Sequence, residues 1–340
     1  MKCTLIALAL GLLTSIPVIA NAEAITVCSY GGSYNKALET AVAKPFTEAT
    51  GIDVIMVSFP NYAKMKAQVK SGNVEWDVVE PSINAYALGA HDGIFEPLDL
   101  DGIPVKDFVE GGIQPYGVST VYYSHNVGYR TDVWPKGKGP KSWADVWDVE
   151  KFPGPRAVKY TAYSNLEAAL LADGVPPGQI YPIDVDRAFR KLDQLKPYIK
   201  VFWKNGAHAQ QVMRAHEADL GSFAAGRMMD IAKEGVPVAC EWNGSVVDLD
   251  YLVILKGCRH KAAAMEFIRF STDPKRQADL AKATYYGPSN LKAYDYIPDD
   301  LARQMPSHPD NLKNAVIIDG DWYRENGKAV TARWEAWKMQ

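Results

Sequence analysis

The amino-acid sequence predicts an α/β protein that folds as two lobes. Short apolar strands alternate with longer segments of helical periodicity, which is typical of βαβ units built on parallel sheets. After an N-terminal leader, roughly 320 of the 340 residues remain, more than one hydrophobic core usually supports. Two separate β-rich passages further indicate that the chain leaves a first lobe and later returns to it.

The leader has the pattern of a secretory signal peptide. Lys2 precedes an apolar stretch over residues 5–19, and Ala20-Asn21-Ala22 supplies the small residues at which signal peptidase cuts. We therefore expect residues 1–22 to be removed by cleavage after Ala22 and the mature protein to lie in the periplasm. A lipid anchor is not expected, because Cys3 precedes the apolar run and no cysteine lies near Ala22.

The first lobe has a readable βαβαβ order. A glycine-rich turn, Gly31-Gly32-Ser33, follows the first strand, and Gly51 and Gly72 end the two helices. The predicted strands are 24–29, 52–59 and 76–79, and the predicted helices are 35–50 and 62–71.

The second lobe lies between two predicted crossings. Residues 117–124 form a β-rich exit and residues 246–255 form the return, with predicted helices over 165–172, 184–195, 209–216 and, after the return, 262–280. Two crossings make a hinge rather than a simple linker. The predicted limits are 23–124 and 252–290 for lobe 1, 125–251 for lobe 2, and 291–340 for a C-terminal helical segment that packs on the lobes.

Charge and cysteine content restrict the partners and the redox state. A net charge of −3 is too small to indicate nucleic acid or an anionic membrane as a partner. Cys28, Cys240 and Cys258 follow the leader, and in an oxidising compartment an odd number leaves one thiol over. We expect Cys28 to be a buried free thiol and Cys240 to pair with Cys258, with three free thiols as the alternative.

Several segments in a shared order resemble one known family. These are Tyr30-Gly31-Gly32-Ser33-Tyr34, Lys44-Pro45-Phe46, Thr50-Gly51-Ile52-Asp53-Val54, Trp76-Asp77-Val78-Val79, Leu170-Leu171-Ala172-Asp173-Gly174, Tyr181-Pro182-Ile183-Asp184, Glu241-Trp242-Asn243-Gly244 and Lys256-Gly257. Together they are similar to the periplasmic binding proteins of polyamine-type (spermidine/putrescine) ABC importers.

The resemblance covers the whole mature chain and has definite implications. It implies a type II periplasmic-binding-protein fold, two lobes joined by a two-strand hinge, with a small solute enclosed in the cleft between them. It also implies a monomer that delivers the solute to ABC permease subunits in the inner membrane and needs no cofactor.

One wall of the predicted site comes from turns that follow strands. In open α/β sheets ligands lie at the carboxyl ends of strands, where backbone N–H groups at helix starts are free. Tyr30, Gly32, Ser33 and Tyr34 surround the first such turn, although the glycines could serve the turn alone. After the third strand, Pro81 and Ser82 are the better candidates, and Asp77 is expected to be a buried structural carboxylate.

The predicted amine-binding carboxylate is Asp250, on the returning strand. The resemblance implies that this position pairs with a cationic amine, and Asp248, two residues away on the same face, is the competing choice. The resemblance places Trp203 and Trp242 near the cleft, where aromatic faces would add cation–π attraction, and it adds Tyr163, Ser164 and Asn243 to the candidates.

A departure from the polyamine pattern bears on the ligand. Polyamine binders carry acidic residues ahead of the helix that begins near Asn165, but residues 161–165 here read Thr-Ala-Tyr-Ser-Asn. A long polycation needs negative charge at both ends, because a buried unpaired ammonium is costly. A shorter amine or a 4-aminobutyrate-like zwitterion therefore fits better, with the glycine turn or Arg227 for its carboxylate; Arg227 could equally be structural.

Two other functions remain in competition. An enzyme is not expected, because the six histidines lack metal-binding spacing and no Gly-x-Ser-x-Gly elbow is present, which leaves a secreted hydrolase as a distant alternative. A solute sensor that feeds a receptor would have the same sequence features. No metal site is predicted.

Overall fold

The computed structural model describes residues 24–340, so the predicted signal peptide at residues 1–22 lies outside the described residues. The strands are β1 Ala24–Ser29, β2 Asp53–Ser58, β3 Val78–Val79, β4 Ile113–Gln114, β5 Gly117–Arg130, β6 Arg156–Lys159, β7 Ile199–Trp203, β8 Leu220–Ala224, β9 Val238–Ile254, β10 Gly287–Pro288 and β11 Val316–Ile317. The helices are α1 Gly32–Leu38, α2 Lys44–Thr50, α3 Tyr62–Ser71, α4 Ile83–His91, α5 Trp143–Trp147, α6 Asn165–Ala172, α7 Val185–Leu195, α8 Gly206–Arg214, α9 Ala225–Lys233, α10 Lys261–Ser271, α11 Pro274–Thr284, α12 Asp299–Ala302, α13 Pro309–Leu312 and α14 Gly320–Met339.

The first lobe is built on a parallel sheet. Strand β1 lies between β2 and β3 and pairs in parallel with both, from Ala24 opposite Asp53 to Ser29 opposite Ser58 on the β2 side. Four of the six residues of β1 are buried and the other two are partly buried, as expected for a strand covered on both faces. The predicted βαβαβ order of this lobe is confirmed.

Two long antiparallel strands connect the lobes. Strands β5 and β9 pair from Val118 opposite Leu252 to Arg130 opposite Val238, and the register shifts twice, between Ser119 and Val121 and between His125 and Val127. Bulges of this kind bend a strand and increase its twist. The α/β fold with two lobes and a two-strand hinge is therefore confirmed, and the limits of each lobe remain a proposal.

The second lobe repeats the parallel arrangement. Strand β6 pairs in parallel with β7 and β8, and β8 joins the connecting strand β5 in antiparallel orientation. Helix α7 has its apolar residues on one face, and the Asp184 side chain caps it by accepting a hydrogen bond from the Arg187 N–H. That face packs into a core that includes Leu166, Phe189 and Trp334.

The elements at the lobe junction are longer than the sequence predicted. Strand β9 begins at Val238 rather than 246, because residues on both sides of the bulge pair with β5. The first helix begins at Gly32 rather than 35, since the Asn35 side chain accepts a hydrogen bond from the Gly31 N–H and so completes the turn. A π-helical segment, Glu39–Ala43, then joins α1 to α2.

The predicted Cys240–Cys258 disulfide is wrong, because Cys28, Cys240 and Cys258 are all free thiols. Cys240 lies on β9 opposite Gly128 and packs in a second-lobe core. Cys258 lies in the first lobe, where its thiol donates to Asp77 Oδ1 at 3.1 Å. Proximity in the chain suggested the pairing, but strand β9 runs between the lobes and carries the two cysteines apart.

Candidate functional site

A cavity of about 370 Å³ lies between the lobes beside the connecting strands. Its lining combines one carboxylate, several cations and a group of aromatic rings. The lining residues are Tyr30, Tyr34, Phe59, Tyr123, His125, Lys159, Trp203, Lys204, Asn205, Gly206, Ala224, Arg227, Asp250 and Tyr286.

The parallel sheets explain why these side chains meet. Tyr30 follows β1, and Lys159, Trp203 and Ala224 are the last residues of β6, β7 and β8. The carboxyl ends of parallel strands meet at one edge of a sheet, where ligands bind in α/β proteins. The cavity thus lies at the carboxyl edges of the parallel strands of both lobes.

Asp250 is the acidic group of the cavity. It is buried on β9 and accepts a hydrogen bond of 2.7 Å from the Tyr30 hydroxyl. Burial raises the pKa of Asp250 well above its ordinary value, and the negative charges of Asp248 and Glu80 raise it further. A cation beside Asp250 would stabilise the ionised carboxylate and so lower its pKa again. This carboxylate therefore suits an ammonium group.

The two acids behind Asp250 already have several donors. Glu80 accepts hydrogen bonds from Ser29 at 2.5 Å and Tyr34 at 2.6 Å, and Asp248 accepts from the hydroxyls of Tyr123 and Tyr163. Their role is therefore to hold the tyrosines and to add negative potential. Burial raises the pKa of Glu80 and that of Asp248.

An aromatic belt surrounds the acidic group, with each ring centroid 5.6 to 6.1 Å from the next. The belt consists of Tyr30, Tyr34, Tyr286, Tyr123, His125 and Trp203. The Trp203 indole donates to the Ser222 carbonyl at 2.8 Å, which fixes this end of the belt. Aromatic faces attract a ligand ammonium and exclude water from it.

Basic side chains come from the second lobe. Arg227, on α9, reaches across the cleft and donates to Ser33 Oγ in the first lobe at 2.8 Å. The guanidinium of an arginine can bind a carboxylate through two parallel hydrogen bonds. Lys204 is exposed at the rim of the cavity, whereas Lys159 is half-buried.

Lys159 and His125 form a close pair in the cavity wall. The Lys159 ammonium lies 3.1 Å from His125 Nε2 and 4.8 Å from the centre of the Tyr163 ring. Burial lowers the pKa of His125 well below its ordinary value, and the positive charge of Lys159 is the second, smaller cause. The imidazole is therefore neutral and accepts a hydrogen bond from the ammonium.

Four predicted site residues line the cavity together, namely Tyr30, Tyr34, Trp203 and Asp250. Ser33 lines an adjoining space of about 390 Å³ at the cleft mouth, which shares Tyr34, Arg227 and Tyr286 with the main cavity. Gly32 belongs to the turn, with φ of 61°.

Other predicted residues lie one layer behind the lining. The Pro81 carbonyl accepts from the Tyr251 N–H at 3.0 Å, and Ser82 forms a β-bridge with Asp250. Tyr163 does not line the cavity; its hydroxyl donates to Asp248 and its ring faces the Lys159 ammonium. Ser164 is completely buried at the start of α6.

Trp242 and Asn243 are not brought to the cavity. They lie in the bulged part of β9, which Gly244 turns with φ of 74° and which the Trp143 indole holds by a 2.6 Å hydrogen bond to the Gly244 carbonyl. Asn243 instead accepts a hydrogen bond from Asn314. The bulge directs the two side chains away from the ligand space, although they lie close to Asp250 in the chain.

Sequence reasoning missed several lining residues, in particular Phe59, Tyr123, His125, Lys159 and Tyr286. Lys159 ends a parallel strand, so the strand-end rule could have found it. Tyr123 lies on the predicted exit crossing and His125 directly follows it, but their direction depends on the register shifts in β5. Tyr286 comes from the segment after α11, and no local signal indicates its position.

Two further observations concern metal binding and membrane-spanning helices. Within residues 24–340, no cluster of three or more His, Cys, Asp or Glu side chains could hold a metal ion. In the same part of the chain, no helix combines the length and the apolar character that crossing a membrane requires.

Two hinged α/β lobes with a charged, aromatic-walled cavity between them define a protein that captures a small solute. The chain belongs to the bacterial extracellular solute-binding protein family, whose profile matches residues 41–309. The family is one of binding proteins, which agrees with the expectation of a non-enzymatic role.

The relatives cover nearly the whole chain. The gamma-aminobutyric acid-binding protein of Pseudomonas aeruginosa is 36% identical over 335 residues, which span 96% of this chain and 94% of the relative. An ABC transporter substrate-binding protein from Bradyrhizobium japonicum superposes with a TM-score of 0.88 at 38% identity, covering 94% of this chain and all of the other. The Atu4243-GABA receptor superposes with a TM-score of 0.86 at 36% identity, covering 93% and 98% of the two chains.

The polyamine part of the predicted resemblance is not confirmed. Two putrescine-binding proteins of P. aeruginosa are related to the chain, but at only 23% and 24% identity. The family was therefore identified correctly, while the specific group is more distant than the sequence motifs suggested.

Proposed function

We propose that this protein is the periplasmic substrate-binding component of an ABC importer and that it captures a 4-aminobutyrate-like ω-amino acid in the inter-lobe cavity. The observation that carries the proposal is the presence of one acid, Asp250, and one arginine, Arg227, on the lining of a single small cavity. A ligand with an ammonium at one end and a carboxylate at the other complements both groups.

The ammonium end fits the Asp250 side. The Asp250 carboxylate accepts a hydrogen bond from Tyr30 through Oδ1 and has capacity for a second donor. The other three belt tyrosines line the same cavity. A charge-assisted hydrogen bond and cation–π contacts act together there. The ammonium would also balance the negative potential that raises the pKa of Asp250.

The carboxylate end fits Arg227 better than the glycine turn. The Gly31 N–H at that turn already donates to Asn35 Oδ1 at 2.7 Å, and Gly32 does not line the cavity. Arg227 extends from the second lobe to Ser33 in the first, so a ligand carboxylate there would join the same contact between lobes. Ligand binding and closure would then reinforce each other.

The comparisons support this choice of ligand. Two relatives that carry gamma-aminobutyric acid or GABA in their names are each 36% identical to the chain, whereas the putrescine-binding relatives are more distant. We infer that the closed form with bound solute is recognised by the permease subunits of an importer.

The test is calorimetric titration with 4-aminobutyrate, butylamine and butyrate. We expect 4-aminobutyrate to bind more tightly than either compound with a single charged end. Asp250→Asn should weaken its binding by about 30-fold or more, because the buried ammonium loses its charged partner.

Asp53→Asn is the matched control, since Asp53 is exposed at the start of β2. It should bind like the wild type. Unchanged affinity in Asp250→Asn, or equal affinity for butylamine and 4-aminobutyrate, would contradict the proposed binding mode.

A further inference from the structure

Lys159 lies in the cavity wall without an acidic partner in contact. It ends β6, and among the described residues no carboxylate lies within 4.0 Å of its ammonium. Its close neighbours are the neutral His125 and the face of Tyr163. A cation held in this way interacts through space with the acids around the cavity.

The neighbouring acid that stabilises this ammonium most is Asp248. Burial lowers the pKa of Lys159 to about 8, and among the charges that oppose this lowering Asp248 comes first, ahead of Glu167 and Asp250. Tyr163 connects the two groups directly, because its hydroxyl donates to Asp248 while its ring faces the Lys159 ammonium. Asp248 is thus balanced within the protein, and Asp250 is the acid that remains for a ligand.

We infer that Lys159 acts as a resident ammonium, which occupies the place that a second ligand amine would take and thereby makes the cavity select mono-amines with an anionic end over diamines. The inference rests on the proposed function. It assigns Lys159 a role in specificity that is separate from the binding contacts of Asp250 and Arg227.

The charge balance explains the expected selectivity. A diamine bound at Asp250 would bring its second ammonium into a cavity that already holds Lys159 and Arg227. Like charges in a desolvated site repel strongly, and an ammonium without an acidic partner is costly to bury. Replacing the Lys159 charge would remove this repulsion and leave the negative potential of Asp248 uncompensated, which favours the second ammonium.

The experiment compares 4-aminobutyrate with 1,4-diaminobutane, which have the same four-carbon spacing and differ at one end. In the Lys159→Gln and Lys159→Met variants, calorimetry should show diamine affinity rising by about 10-fold or more relative to 4-aminobutyrate. Either neutral variant suffices, provided that its circular-dichroism melt shows a folded protein.

Two variants serve as controls. Lys159→Arg keeps the charge and should keep the wild-type preference, and Lys200→Gln removes an exposed lysine of β7 that does not line the cavity and should leave the preference unchanged. If the folded neutral variants reject the diamine as the wild type does, the inference about Lys159 is wrong while the proposed function stands. If the wild type does not bind 4-aminobutyrate, the proposed function itself fails and the inference fails with it.

Discussion

At the scale of single residues, Asp250 combines its proposed binding role with a cost in stability. Its carboxyl is buried near Asp248 and Glu80, and these surroundings raise its pKa in the folded protein. The native state therefore holds this proton more tightly than the unfolded chain does. The stabilisation is complete below the ordinary carboxyl pKa and is lost as the pH rises through the raised folded value.

The pH dependence gives a prediction for Asp250→Asn. Asparagine keeps the shape and the acceptor for Tyr30 but removes the ionisation, so the solute-free variant should melt at a higher temperature than the wild type at neutral pH. The difference should shrink as the pH is lowered, because the wild-type carboxyl then becomes protonated. Melting curves followed by circular dichroism across this pH range test the prediction.

The ionisation of Asp250 also couples solute binding to the release of protons. An ammonium at Asp250 would lower its pKa, so binding should release protons in the range between the bound and free values. Titrations in buffers of different ionisation enthalpy measure this release, and any residual binding to Asp250→Asn should release fewer protons. A higher-melting variant with undiminished proton release would argue for another titrating group.

At the scale of elements, helix α14 packs against both lobes. Its first residue, Gly320, packs so closely on α4 that a side chain would meet the Ile83 carbonyl at 2.8 Å. Its other end brings Trp334 and Trp337 into the second-lobe core against Phe189. The C-terminal segment is therefore an additional link between the lobes, beside the strands β5 and β9.

Trp334→Ala should destabilise the protein strongly. The indole is fully buried and donates to the Tyr160 carbonyl at 2.6 Å, so truncation leaves a large cavity and removes this hydrogen bond. The expected loss in the free energy of unfolding is about 3–5 kcal/mol, measured by urea denaturation. Met339→Ala, at an exposed position on the same helix, should change it by no more than about 0.5 kcal/mol. A comparable loss in both variants would show that burial of the Trp334 indole in the core is not the cause of the loss.

At the scale of the whole molecule, the lobes touch across the cleft beside the cavity. Arg227 bonds to Ser33, and Gly226 lies against the Tyr286 ring, where an added side-chain carbon would approach within 2.6 Å. Both contacts border the cavity, so a bound solute lies between surfaces that touch around it. The bulge between His125 and Val127 gives the connecting strands a place to bend nearby.

Solute binding should therefore favour the closed form. We expect small-angle scattering to give a smaller radius of gyration when 4-aminobutyrate is added at saturating concentration. Arg227→Gln removes the inter-lobe hydrogen bond and should reduce the change. Identical scattering with and without solute, in a sample that binds by calorimetry, would contradict closure as the response.

The sequence by itself determined the two-lobed α/β fold and the order of the first-lobe elements, while its family resemblance supplied the amine-binding candidate Asp250. The fold and the element order could be predicted because hydrophobic periodicity and glycine positions determine helices, strands and turns locally. The strand ends of parallel sheets also converge at one edge, which indicated where a ligand binds. The absence of a second acidic group at residues 161–165 also turned the ligand prediction from polyamines towards a zwitterion.

Only the tertiary structure decided which side chains share the cavity. The bulge in β9 removes Trp242 and Asn243 from it, and the span of β9 between lobes separates Cys240 from Cys258. Lys159, His125 and Tyr286 come from distant parts of the chain, and their meeting depends on the packing of one lobe against the other. Charge balance within a cleft is a property of that packing, because it depends on distances that a linear sequence does not contain.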